Sequence, residues 1–158
     1  KSRGEVKLRS DDPHDRPASH FNYMSHPDDT RELVEALKVM QELLTQPAFD
    51  EFRGERINPA PEAKTDSELE AWVRGYSSTD YHPCGTCRMG HDDLAVVDGQ
   101  LRVHGMDHLR VVDASVMPDI VSGNLNAPTQ MIGERAADYI LGKQQLPAEQ
   151  ASFHFLEP

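Results

Sequence analysis

The chain has 158 residues, a formal net charge of −11 and 37% hydrophobic residues. That length suffices for one domain with a core, or for a piece of a larger protein. The negative balance speaks against nucleic acid or an anionic membrane surface as a partner, and no apolar run approaches the roughly 18 residues of a spanning helix.

KSRGEVKLRS opens without an initiator methionine or a signal-peptide pattern and reads as a strand entered in mid-course, so the sequence is expected to be a fragment. Val6 and Leu8 alternate with charged residues, the pattern of a half-exposed strand. DDPHDRPASHFNYMSHPDD, with three prolines, reads as a long loop anchored by Phe21, Tyr23 and Met24. Asp29 and Glu32 have capping-box spacing, and Leu33, Leu37, Met40 and Leu44 follow as one stripe, predicting a helix over 29–45 that packs on that face. Residues 47–64 are irregular. A second capping box, Thr65 with Glu68, predicts a helix over 66–77 with Leu69, Trp72, Val73 and Tyr76 on its inner face.

That helix delivers the chain to YHPCGTCRMG, residues 81–90. Histidine is the usual general base near neutral pH, and Pro83 biases His82 toward extended backbone, which fixes the direction of its ring. Cys84 and Cys87 form a single CxxC. A structural zinc site needs four ligands, and neither a second CxxC nor an HxxxH completes one; His91 is near in sequence, while His104 and His108 fall in an expected turn. Two reduced thiols packed in a loop are the simpler reading, with a redox pair and a metal-binding module as alternatives.

Beyond Gly90, residues 94–103 read as a hairpin about an Asp98-Gly99 turn, and 109–112 as a strand ending at Asp113-Ala114-Ser115. A last helix is predicted near Pro128, with Asn126 as its cap, ending at Gly142; Met131, Ile132, Ala136, Tyr139 and Ile140 would face inward. The loop before it, SGNLNAPTQMIGE, carries amides to a helix N-terminus. A rigid base facing such a loop suits a developing oxyanion and an electron-rich cofactor. The plainer readings are a satisfied buried histidine at 82 and a turn residue at Asn124.

Taken together, YHPCGTCRMG, VVDGQLRVHG, LRVVDASVMP and SGNLNAPTQMIGERAAD resemble the C-terminal signature of the glucose–methanol–choline (GMC) flavin oxidoreductases, across about residues 3–142. FNYMSHPDD, QPAFDEFRGERINP and the CGTC variant most resemble its choline-oxidising members; no GxGxxG occurs. The resemblance implies an α+β fragment: residues 1–93 from an antiparallel-sheet substrate domain with helices, 94–142 giving the last strand and helix of an FAD-binding Rossmann-like domain, and 143–158 a surface tail. It implies FAD-dependent oxidation of choline, or another small primary alcohol, to the aldehyde, with electrons passing to the respiratory chain. The parent would be cytoplasmic or peripherally associated with the inner membrane (mitochondrial in a eukaryote), and the fragment alone inactive. By the same resemblance His82 is the base and Asn124 the hydrogen-bond partner of the alkoxide. Asp113 and Ala114 would touch the ribityl or pyrophosphate end of the flavin, and Asn126, Pro128 and Thr129 would lie beneath its ring. Tyr81 is a candidate wall for a quaternary ammonium, recognised through an aromatic face, with ordinary packing as the alternative.

Overall fold

A computed structural model describes residues 1–59 and 63–150, so the expected tail lies partly outside the described residues. Two compact units divide the chain, Lys1–Asp80 and Tyr81–Pro158.

In the first unit, β1 (Glu5–Lys7) pairs antiparallel with β2 (Ala18–His20), with Val6 opposite Ser19. The second strand lies inside the stretch expected to be loop. Every residue of the pair is exposed except half-buried Ala18, so no inward–outward alternation marks β2 in the sequence.

Helix α1 spans Pro27–Leu44 and starts two residues before the expected position. Its cap is His26 rather than Asp29: the ring Nδ1 accepts from the Asp28 amide at 3.2 Å, and Pro27 occupies the first turn. Asp29 instead accepts from the Ser2 amide at 2.7 Å. The buried face is corrected too. Thr30 and Val34 are buried, whereas Leu33, Met40 and Leu44 of the expected stripe are exposed. Val34 packs against Leu69 and Val73 of the neighbouring helix, and at the edge of that contact Lys38 bridges Glu35 at 2.8 Å and Asp66 at 2.9 Å.

That neighbour, α2 (Asp66–Tyr76), has the expected capping box. Thr65 Oγ1 accepts from the Glu68 amide, and the Glu68 carboxylate accepts from the Thr65 amide at 2.8 Å. The Thr65 and Lys64 amides, joined by the Thr65 hydroxyl, hold the Glu68 carboxyl down at about 2. Leu69 and Val73 close on Val34, each such burial being worth about 2 kcal/mol. Tyr76 stays exposed and stacks on half-buried Trp72.

The second unit is largely loop around buried Val97, Leu101, Val116, Met117, Leu125, Ile132 and Ala136. The expected hairpin is a single antiparallel bridge, Val97 to Val103. Its turn runs to Leu101, because Asp98 Oδ1 takes the amides of Gln100 and Arg102 at 2.8 and 3.0 Å. Residues 109–112 give one bridge, Arg110 to Arg102, before a 3₁₀ turn at Ala114–Val116. Helix α3 spans Asn126–Leu141; its cap is Leu125, not Asn126, and it stops at Gly142 in the left-handed region (φ 65°). Ile132 and Ala136 are buried, while Met131 and Ile140, about a quarter turn to either side, are exposed. Among the described residues no helix is long and apolar enough to cross a membrane.

Candidate active site

The loop at residues 81–90 is held mainly by backbone. The Cys87 amide donates to the Ser115 carbonyl at 2.9 Å, and the Met89 amide to the Val116 carbonyl at 2.8 Å. Cys84 and Met89 pack against the cluster containing Val116 and Met117. Between these anchors Gly85 turns the chain at φ 86°, where a Cβ would come within 3.4 Å of the Met117 carbonyl oxygen. At the far end Arg88 grips Asp92 with both guanidinium nitrogens, at 2.9 and 2.5 Å, and holds that carboxyl below the usual range.

Asn124 stands two residues before α3, beside buried Leu125. Its Oδ1 lies 3.3 Å from Nε2 of half-buried His82. Two groups 42 positions apart thus meet, and both are carried by segments rooted in one core: Met89 packs against it from the loop, and Leu125 belongs to it. An oxygen at about 2.8 Å from each polar atom closes a triangle on their 3.3 Å separation, so both can bond one hydroxyl.

The other expected residues have local partners. The Asp113 carboxylate accepts from the Ser115 amide at 2.7 Å and caps the 3₁₀ turn; half-buried Ala114 packs on the core. Asn126 Oδ1 accepts from Gln130 Nε2 at 3.2 Å, and Thr129 Oγ1 donates to the Leu125 carbonyl at 2.6 Å. Pro128 is half-buried in the first turn of α3. Tyr81 is exposed, with φ 61°. No side chain caps α3, and Asn126 and Ala127 of its first turn are exposed. The donor set at that end, backbone amides with the Asn124 carboxamide just ahead, suits an electron-rich acceptor.

Cys84 and Cys87 are half-buried and not joined in a disulfide. Among the described residues no group of three or more His, Cys, Asp or Glu is placed to hold a metal ion. Sequence reasoning missed Ser115 and Val116, which secure the His82 loop. They act through carbonyls, which every residue type carries, so no letter signals them.

Comparison with known proteins gives the same outline. The pattern of the GMC oxidoreductases matches residues 1–133. An oxygen-dependent choline dehydrogenase of Klebsiella pneumoniae subsp. pneumoniae is 54% identical over 153 residues, 97% of this chain and 28% of that protein. Among solved structures, pyridoxine 4-oxidase from Mesorbium loti is similar at a TM-score of 0.82 and 30% identity, covering 90% of this chain and 28% of its own. A formate oxidase from Aspergillus oryzae RIB40, described for its FAD modification, matches at 0.82 and 31%, covering 88% and 24%. The chain therefore spans little more than a quarter of the length of such relatives. With the pattern running through the His82 loop, the 3₁₀ turn and the start of α3, the chain belongs to the GMC oxidoreductase family.

Proposed function

We propose that this chain contributes the proton-handling side of the active site in an FAD-dependent oxidoreductase of primary alcohols, with choline as substrate and betaine aldehyde as product. The observation that carries this reading is the 3.3 Å approach of His82 Nε2 to Asn124 Oδ1. The choline dehydrogenase relatives support the choice of substrate. In a polypeptide of the relatives' length, residues 1–93 belong to the substrate-binding domain and 94–142 to the FAD-binding domain, the 81–90 loop being packed with the latter.

FAD, when bound, supplies the hydride acceptor. The residues here fit its electron-rich ring: the uncapped first turn of α3 offers the amides of Asn126 and Ala127 and the positive end of a helix dipole, with Pro128 and Thr129 as the packing surface beside them. Asp113 and Ala114 would hold the ribityl or pyrophosphate end through their backbone, since the Asp113 carboxylate is bonded to Ser115 and would repel phosphate.

His82 must present an unprotonated Nε2 to act as a base. The Asn124 amide, turned so that Nδ2 faces the ring, donates to Nε2 and holds the tautomer with the proton on Nδ1. An arriving hydroxyl replaces it, donating its proton to Nε2 while Asn124 Nδ2 donates to the oxygen. As the proton passes to His82, the amide stabilises the alkoxide with a fixed dipole and cannot compete for the proton. Tyr81, exposed beside the base, offers an aromatic face to the quaternary ammonium.

A second substrate class has an observation in its favour: the pyridoxine and formate oxidases share this fold at about the same likeness. Rates of the full-length parent on choline, aryl alcohols and short aliphatic alcohols separate the two. A respiratory-chain carrier is the proposed electron acceptor; the relatives' name makes dioxygen its competitor. The test is His82→Ala in the full-length parent. It is expected to lower kcat on choline by about 100-fold or more with FAD still bound; an unchanged rate removes His82 from the chemistry.

A further inference from the structure

We infer that the Asp113 carboxylate is a positioning group for the base: it sets the 3₁₀ turn on which the His82 loop is hung. The inference rests on the reading of His82 as the base. The chain of contacts is short and continuous. Asp113 Oδ1 accepts from the Ser115 amide at 2.7 Å, and its own carbonyl accepts from Val116 at 3.3 Å, which closes the turn. Two carbonyls of that turn, Ser115 and Val116, then take the amides of Cys87 and Met89 at 2.9 and 2.8 Å. The far end of the loop is also tied to residues 96–97, through Gly90 to the Val97 carbonyl at 3.0 Å and Val96 to the Arg88 carbonyl at 3.0 Å, but the anchors nearest His82 are those on the 3₁₀ turn; Gly85 crosses the Met117 carbonyl with no side chain to wedge it.

The Val116 and Met117 side chains are buried beside Leu125, whereas exposed parts of the turn are held by the bond from the Ser115 amide to the Asp113 carboxylate. Without the carboxylate the turn loses the acceptor for the Ser115 amide, and the carbonyls are no longer fixed in direction. His82, five and seven residues before the two anchored amides, then drifts from Asn124. A neutral amide oxygen at position 113 accepts the same bond, so the function needs an acceptor and not a charge.

The experiment uses the full-length, FAD-loaded parent with Asp113→Ala and Asp113→Asn. Amide hydrogen exchange is followed at Cys87, Met89, Ile132 and Ala136, and kcat and KM are measured on choline. Asp113→Ala is expected to speed exchange at Cys87 and Met89 about tenfold, on the usual size of a lost cap, with Ile132 and Ala136 protected as before. It should lower kcat about tenfold with KM changed less than about twofold, since displacement of a base acts on the chemical step. Asp113→Asn should restore both readouts. Unchanged exchange at Cys87 and Met89, loss of protection throughout α3, or an Asn variant as impaired as the Ala variant each overturns the inference. Exchange is read without turnover, so an idle His82 would sink the base assignment while leaving the anchoring result to be judged alone.

Discussion

The His82 ring and the Asn124 carboxamide lie 3.3 Å apart, one on a loop hung from Ser115 and Val116, the other beside the buried cap of α3. Because both ride on the same buried residues, their separation is a property of the second unit's core.

The partner of the base must donate without carrying negative charge. Asn124→Asp puts a carboxylate beside the imidazole, which favours imidazolium and repels an alkoxide. The expected outcome in the parent is a fall in kcat of about 100-fold, with the acid limb of kcat/KM displaced to higher pH. Asn124→His keeps a donor and should stay within about tenfold of the native rate. The pH profiles of the two variants decide.

Leu125 links packing to chemistry. It is buried and adjoins Asn124, so Leu125→Ala should destabilise by about 2–5 kcal/mol and lower kcat as well. Denaturant unfolding and steady-state rates on one preparation check both; a stability loss with native kcat would uncouple the core from the site.

The capping box of α2 makes a prediction about acid. Glu68 has its carboxyl lowered from 4.5 to about 2 by the Thr65 amide first, then the Lys64 amide and the Thr65 hydroxyl. A depressed folded pKa means stability that is fully present above about 4.5 and drains away as pH falls toward about 2. Thr65→Ala should cost about 1 kcal/mol at neutral pH and flatten that acid dependence. Helical circular dichroism of α2-containing protein against pH measures it; an equal slope in both proteins contradicts the box.

Features encoded by local chemistry were legible in the sequence. Thr65 with Glu68 announced α2, and Gly142 announced the end of α3, because a cap and a left-handed stop need particular residue types. The motifs around His82 and Asn124 led to the expectation that the two side chains meet, and they lie 3.3 Å apart. Features set by neighbours were not. Helix α1 carries apolar residues on more than one face, and its contact with α2 selected Thr30 and Val34 over Leu33, Met40 and Leu44. His26 won the cap from Asp29 because Pro27 fixed the first turn and Ser2 claimed the carboxylate. The strand at 18–20 has no burial to impose a pattern. Leu125 took the cap of α3 from Asn126 with no side-chain bond at all, a choice made by its burial.

The most direct test is a double-mutant cycle in the FAD-loaded parent, reading the rate of anaerobic flavin reduction by choline for His82→Ala, Asn124→Ala and the pair. Two groups that bond one substrate oxygen should show strong non-additivity, the double variant being little slower than the worse single one. Losses that multiply would mean that His82 and Asn124 act at separate places, and would contradict their convergence on the alcohol.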